Sequence, residues 1–291
     1  MLVHRIPYPP NKGDKIRSFN LLKALSEHYD VHLGCFIDDP FDKQYRDKLQ
    51  QWCTSVCCVD QVKWRAKLSG LSGFISSNAI TLPYYFSSVM QRWVDNTIKN
   101  HNIKNVLVYS SSMAQYVDKD HYQALGRVID FVDIDSDKWR QYADKSQGIK
   151  RWFYQREATL LQQYETQICQ RFDSSLFVSD DEASAFRALL PASQHSKVHS
   201  ILNGVDIDYF SPLAELVNPE ITLPDHYIVF TGAMDYWANV DAVCWFCQHI
   251  WPALRQQYPT LHFMIVGGNP SPRVRGLGQL PGVIVTGRVR D

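Results

Sequence analysis

Three places along the chain combine glycine with cations or carboxylates in spacings that could hold a charged small molecule. The first is Asn11-Lys12-Gly13-Asp14-Lys15-Ile16-Arg17. A glycine opening a helix lets a ligand approach the backbone, and the free N–H groups and dipole there favour an anion. Lys12, Lys15 and Arg17 would add positive charge. The plainer alternative is that Gly13 only serves the turn and the cations are solvated. The second place is Asp133-Ile134-Asp135-Ser136-Asp137-Lys138-Trp139. Carboxylates at a strand exit can bind hydroxyls, hold a metal or orient a leaving group. Asp133 and Asp135 would face opposite sides of an extended strand, so they share a ligand only if the chain turns. The plainer alternative is that Asp135 or Ser136 caps the helix that follows. The third is a set of strand exits ending in glycine: Gly232-Ala233, Gly267-Gly268-Asn269 and Gly287-Arg288. Three in succession exceed the needs of turns, although no G-x-G-x-x-G is present.

These residues need strands and helices to position them, and the hydrophobic pattern supplies an alternation of both. Strands are expected at Leu2–Ile6, Val31–Ile37, Ser55–Val59, Asn105–Tyr109, Arg127–Ile134, Ser175–Val178 and Lys197–Ile201. Helices are expected at Asp14–His28, with Asp14 as cap, and at Tyr84–Asn100, Lys150–Arg171 and Asp180–Leu190. Asn203-Gly204 marks a turn, and 206–225 reads as a linker with three prolines. A fresh unit then opens: strand His226–Thr231, helix Asn239–Gln257, strand Leu261–Val266, a Pro-Ser-Pro turn and strand Val283–Thr286. Strands spaced by helices imply parallel sheets with right-handed crossovers. The expected fold class is α/β, in an N-terminal domain over 1–205 and a second one begun over 226–291. Ligands of such sheets bind outside the carboxyl ends of the strands.

Composition narrows the function. The 291 residues carry 30 basic and 30 acidic side chains, and this neutrality argues against a dedicated nucleic-acid binder. No stretch approaches the roughly 20 apolar residues of a membrane helix, and the N-terminus lacks a signal-peptide pattern. The seven cysteines lie in apolar segments, as expected of reduced, buried thiols in a cytoplasmic protein. Cys244 and Cys247 have C-x-x-C spacing but fall on the apolar face of a helix, so packing is the expectation. No G-x-S-x-G, H-E-x-x-H or P-loop occurs. His4 lies beside the first strand exit and is read as structural. The stretches Val62–Leu68 and Lys138–Arg156 mix cations with tryptophan, a mixture suited to anionic interfaces, with solvated cations beside core aromatics as the alternative.

Four blocks together resemble a known family. They are His4–Phe19 (HRIPYPPNKGDKIRSF), Asp130–Trp139 (DFVDIDSDKW), Asn203–Pro212 (NGVDIDYFSP) and Phe230–Tyr236 (FTGAMDY) with Asn239. The chain is similar to family 4 glycosyltransferases, in particular the sugar transferases associated with exosortase/PEP-CTERM exopolysaccharide loci. The resemblance implies a GT-B fold of two Rossmann-like domains and a retaining transfer from a nucleotide-sugar donor to a glycan or lipid-linked acceptor. It implies no cofactor and no obligatory metal. It places Gly13, Gly232 and Ala233 at the donor diphosphate and Gly287 and Arg288 on the base and ribose side, where Gly267 is also expected; Lys12, Arg17 and Arg288 are the candidate cations for the diphosphate. Asp133 and Asp135 are the expected catalytic residues, one or the other orienting the acceptor hydroxyl. The expected location is cytoplasmic, peripheral at the inner face of the plasma membrane. Two departures stand out. The Arg and Lys that hold the diphosphate in the family are absent from the Gly232 segment. The family's second domain also continues past the position of Asp291 into an acidic motif, so the second domain is expected to be incomplete. A chain that only binds nucleotide sugar weakly is therefore the alternative expectation.

Overall fold

The computed structural model describes residues 1–61, 78–207, 211 and 223–289. The chain divides into two compact units, Met1–Val205 and Asp206–Asp291. Val62–Leu68 and most of 206–225 lie outside the described residues.

The first unit is built on seven parallel strands: β1 (Leu2–Val3), β2 (His32–Ile37), β3 (Ser55–Asp60), β4 (Asn105–Tyr109), β5 (Gly126–Val132), β6 (Ser174–Phe177) and β7 (Val198–Ser200). Their order in the sheet is β3-β2-β1-β4-β5-β6-β7. The chain works outward from β1 in one direction and then, from β4, in the other. A crevice opens at such a reversal, above the carboxyl ends of β1 and β4. Successive side chains serve opposite faces of the sheet. Leu2, Phe36, Val106 and Val108 enter one buried cluster with Met90, Ile168 and Phe177, whereas Val3, Leu33, Cys35 and Tyr109 enter another with Leu22. Both faces are therefore covered, which is why the strands read as near-continuous apolar runs.

The helices of this unit are α1 (Gly13–Ser26), α2 (Thr81–Tyr84), α3 (Ser88–Asn100), α4 (Asp135–Asp144), α5 (Gly148–Arg171) and α6 (Asp180–Arg187). Several sequence expectations change. The helix expected from Tyr84 starts at Ser88, because Ser87 caps it by accepting from the Met90 N–H at 3.4 Å. α1 begins at Gly13 with Lys12 as its N-cap residue, so Asp14 is not the cap. β5 stops at Val132, where φ is +70° and the register with β6 shifts. The turn takes Asp133 out of the strand and makes Asp135 the first residue of α4. Neither Asp135 nor Ser136 caps that helix, since Ile134 holds the cap position. The extended-strand argument that set the two aspartates on opposite faces therefore does not apply.

The second unit holds β8 (Tyr227–Thr231), β9 (His262–Val266) and β10 (Val283–Gly287), parallel and in the order β10-β9-β8. Its helices are α7 (Trp237–His249), α8 (Trp251–Gln257) and α9 (Pro272–Leu277). The single helix expected over Asn239–Gln257 breaks at Ile250. Pro252 has no N–H to give and fits only the first turn of a new helix. Met234, Val243, Cys247, Trp251, Phe263, Ile265 and Val283 form the core, and the Trp251 indole N–H donates to the Pro281 carbonyl at 3.1 Å. All seven cysteines are free, with Cys244 and Cys247 packed inside as expected. Among the described residues no helix is long and apolar enough to cross a membrane.

Candidate functional site

In the first unit the exits of β1, β4 and β5 converge at the topological reversal. His4 follows β1 directly. Its ring stacks on Tyr109 at 5.9 Å and meets Tyr85 edge-on at 5.9 Å. Its Nε2 lies 3.6 Å from Asp14 Oδ2, while Nδ1 is buried with no hydrogen-bond partner among the described residues. Arg5 donates to Asp14 Oδ2 at 2.5 Å and to Asp38 Oδ2 at 3.0 Å. Burial alone would raise the Asp14 carboxyl, but the His4 imidazole and the Arg5 guanidinium outweigh it and hold Asp14 well below the usual carboxylate range. The Tyr109 hydroxyl donates to the Asp14 carbonyl at 3.0 Å, tying the end of β4 to the start of α1.

The start of α1 is open. Lys12 and Gly13 are exposed, and no side chain caps the helix. A Cβ at Gly13 would meet nothing within 4 Å, so the fold itself does not require glycine there. The uncapped start of a 14-residue helix thus lies beside an exposed lysine, an arrangement suited to an anion.

The other two cations of this segment are used by the fold. Lys15 is 1 % exposed and pairs with buried Asp42 at 2.7 Å. Arg17, expected at the diphosphate, is 6 % exposed. Its Nε and Nη2 donate to the two oxygens of Asp130 at 2.8 and 3.3 Å, and its Nη1 donates to the Ile201 carbonyl at 2.7 Å and Asn203 Oδ1 at 2.8 Å. This arginine joins α1, β5 and the segment after β7. Its charge is spent on a carboxylate with no exposed surface, so it is not an open anion ligand.

The β5 exit has the opposite character. Asp133 is exposed and makes no hydrogen bond among the described residues. Burial of part of the group raises it above the usual carboxylate range, against the pull of Lys138 and Arg17. Asp135 accepts from the Ser111 hydroxyl at 2.9 Å and is likewise raised by burial. The N–H groups at the start of α4 are already taken by carboxylates: Ile134 N–H donates to Glu182 at 3.1 Å, and Ser136 N–H to Glu165 at 3.2 Å. Glu165 is fully buried and also accepts from the Ser136 hydroxyl at 2.5 Å. Burial, reinforced by the Asp135 charge, pushes it up to about 8. This edge of the crevice therefore favours neutral, hydroxyl-bearing groups, and the α1 edge favours anions.

In the second unit the three glycine exits lie side by side on adjacent strands and are laced together. Gly232 N–H donates to the Val266 carbonyl, Gly267 N–H to the Gly287 carbonyl and Met234 N–H to the Gly268 carbonyl, each at 3.0 Å. Asn239 Nδ2 donates to the Ala233 carbonyl at 3.0 Å. Gly267 has φ +154°, and a Cβ there would lie 1.7 Å from the Gly232 carbonyl oxygen. Gly267 is thus demanded by packing. Gly287 has φ +72° with open space around it, and Arg288 beside it is exposed. α7 starts at Trp237 without a side-chain cap.

Of the residues expected from the sequence, the structure brings Lys12, Gly13, Asp133 and Asp135 to the strand exits of the first unit, and Gly232, Ala233, Gly267, Gly287 and Arg288 to those of the second. Ser111 and Glu165, which bond to the start of α4, were not among the expected residues, and Asn203 was expected only at a turn and in a family block. Glu165 did carry a signal: it sits between Leu161 and Ile168 on the buried stripe of α5, where a carboxylate needs a partner.

Comparison with known proteins adds three findings. Residues 225–291 match the family described as glycosyl transferases group 1. Among solved structures, the apo form of OtsA aligns with 100% of this chain and 73% of its own, at 11% identity and a TM-score of 0.55. An alpha,alpha-trehalose-phosphate synthase (UDP-forming) from Burkholderia vietnamiensis aligns over 100% and 73%, at 10% identity and a TM-score of 0.50. Comparison with curated proteins by sequence found no match. At these identities the structural likeness speaks to the fold, which is of the GT-B type: a seven-stranded parallel sheet and a smaller parallel one.

Proposed function

We propose that this protein is a glycosyltransferase that moves a sugar from a nucleotide-activated donor to a hydroxyl of a glycan or lipid-linked acceptor. The observation that carries the reading is the match of 225–291 to group 1 transferases in a chain whose first sheet has the Rossmann order. The UDP-forming reaction of the Burkholderia synthase supports a nucleoside diphosphate as the leaving group. We assign the chain to family 4, with retention of anomeric configuration and a role in exopolysaccharide or cell-surface polysaccharide synthesis. The blocks at His4–Phe19 and Asp130–Trp139 support that finer assignment.

Sugar transfer passes through an oxocarbenium-like state as negative charge grows on the departing diphosphate. In this reading the second unit holds the donor, with the backbone at Ala233 beside the diphosphate and no obligatory metal, and the uncapped start of α1 with Lys12 is the anion-favouring edge of the first unit. Gly287 and Arg288 border the nucleotide. In the first unit Asp133 holds the acceptor hydroxyl. Asp135, fixed by Ser111, shapes that edge, and His4 with its free Nδ1 is a second hydrogen-bonding partner for the acceptor.

The test is to incubate the protein with a panel of labelled nucleotide sugars and membrane lipid extract. The expected result is label in lipid or glycan and release of nucleoside diphosphate, with Asp133→Asn lowering kcat more than it changes KM. Absence of both nucleotide-sugar binding and transfer across the panel refutes the reading.

A further inference from the structure

The α4–α5 hairpin of the first unit ends in a tip that its own fold does not explain. Behind the tip the hairpin is locked by aromatic packing. Trp139 meets Tyr142 and Tyr154 at 5.9 and 5.7 Å, and Tyr142 meets Tyr154 at 5.7 Å. At the tip itself Ile149 is 83 % exposed and Trp152 59 % exposed. No other large apolar side chain among the described residues is as exposed as Ile149. The two stand three positions apart, so they share one face of α5. Lys145, Lys150 and Arg151 surround them and are exposed, with Asp144 the one acid at the turn.

Two things are wrong with this tip in water. Its apolar side chains are left uncovered on a rigid scaffold. Its cations Lys150 and Arg151 occupy the first turn of α5, where the helix dipole favours acids and where no acid is found. An anionic bilayer reverses both. Lysine and arginine meet lipid phosphates, tryptophan settles at headgroup level, and a single isoleucine enters the acyl boundary. We infer that the α4–α5 tip is a docking point for an anionic lipid surface. The contact is interfacial, since two apolar side chains suit a headgroup layer.

α4 connects this tip to the crevice. Its ten residues span about 15 Å, from Asp135 at the β5 exit to Asp144 at the turn. A lipid-linked acceptor held at the surface would then lie about one short helix from Asp133. That consequence rests on the transferase reading, whereas the docking itself does not.

The experiment sediments the purified chain with phosphatidylcholine vesicles prepared with and without phosphatidylglycerol. Binding is expected only with the anionic lipid, and is expected to weaken with salt. Lys150→Ala with Arg151→Ala should weaken it roughly 30-fold, at about fivefold per cation. Ile149→Ser with Trp152→Ser should weaken it while leaving the salt dependence of the remainder intact. Lys99→Ala with Lys104→Ala, two exposed cations elsewhere on the first unit, should leave binding unchanged. Thermal melts of all variants should match the parent, because every altered side chain is exposed. No sedimentation, equal binding to zwitterionic vesicles, or equal loss from the Lys99/Lys104 pair overturns the proposal. So does a dimer in solution that the tip substitutions dissolve. None of these readouts involves sugar transfer, so failure here and failure of the transferase reading are separable.

Discussion

Replacing Glu165 by glutamine should flatten the pH dependence of stability of the first unit. Glu165 is 0 % exposed, and it accepts from the N–H and hydroxyl of Ser136 and from the Asp135 N–H. Burial comes first and the neighbouring Asp135 charge second in raising the carboxyl from 4.5 to about 8. The folded pKa therefore lies above the unfolded one, and the folded state keeps a proton that the unfolded state has lost. The stability that follows is fully present below about 4.5 and is lost as pH rises towards 8. At about 1.36 kcal/mol per pH unit, a rise from about pH 5.5 to about pH 7.5 should cost ~2.7 kcal/mol. For a unit of this size that is roughly 5–11 °C in melting temperature. Glutamine keeps the shape, accepts from the Ser136 N–H and donates to its hydroxyl, but has no proton to lose. Urea unfolding and thermal melts of Glu165→Gln across this range should show most of that slope gone, leaving what Asp130, Asp133, Asp135 and Glu182 contribute. The variant should be the more stable protein at the alkaline end. Parallel stability curves for parent and variant would refute the argument that burial of this one carboxylate sets the slope.

Two further outcomes follow from packing. Arg17→Met leaves Asp130 charged and buried without its partner, which should destabilise the first unit by about 3–5 kcal/mol in urea unfolding at neutral pH, and adding Asp130→Asn should recover part of it. Gly267→Ala forces a Cβ against the Gly232 carbonyl and a side chain into a strained backbone region; thermal melts should show the second unit destabilised by ~3 kcal/mol or more, with the first unit's transition unmoved.

How much was readable in advance depended on the distance over which each feature is decided. The strand Asn105–Tyr109 coincides with its expected bounds, because a short apolar run bounded by polar residues is a local signal. The long helix ending at Arg171 was legible for the same reason. The end of β5 was not, since the turn at Val132 follows from its pairing with β6 and no glycine or proline marks it. The fate of the cations in α1 lay further off still. Lys12, Lys15 and Arg17 look alike in sequence, yet Lys15 meets Asp42 and Arg17 meets Asp130, partners brought in by other elements of the sheet. Only Lys12 stays outside. The glycines divide in a comparable way: Gly267 is fixed by a neighbouring carbonyl, while Gly13 borders open space.

The lacing of the β8, β9 and β10 exits limits how this part of the molecule can change over evolution. Because each exit bonds to the next, an insertion or backbone shift in one is passed to the other two. Diversification there is confined to side chains that point away from the lacing, and Arg288 is the exposed position best placed to vary. Descendants of this chain that came to prefer a different ligand would be expected to keep Gly232 and Gly267 and to differ first at Arg288.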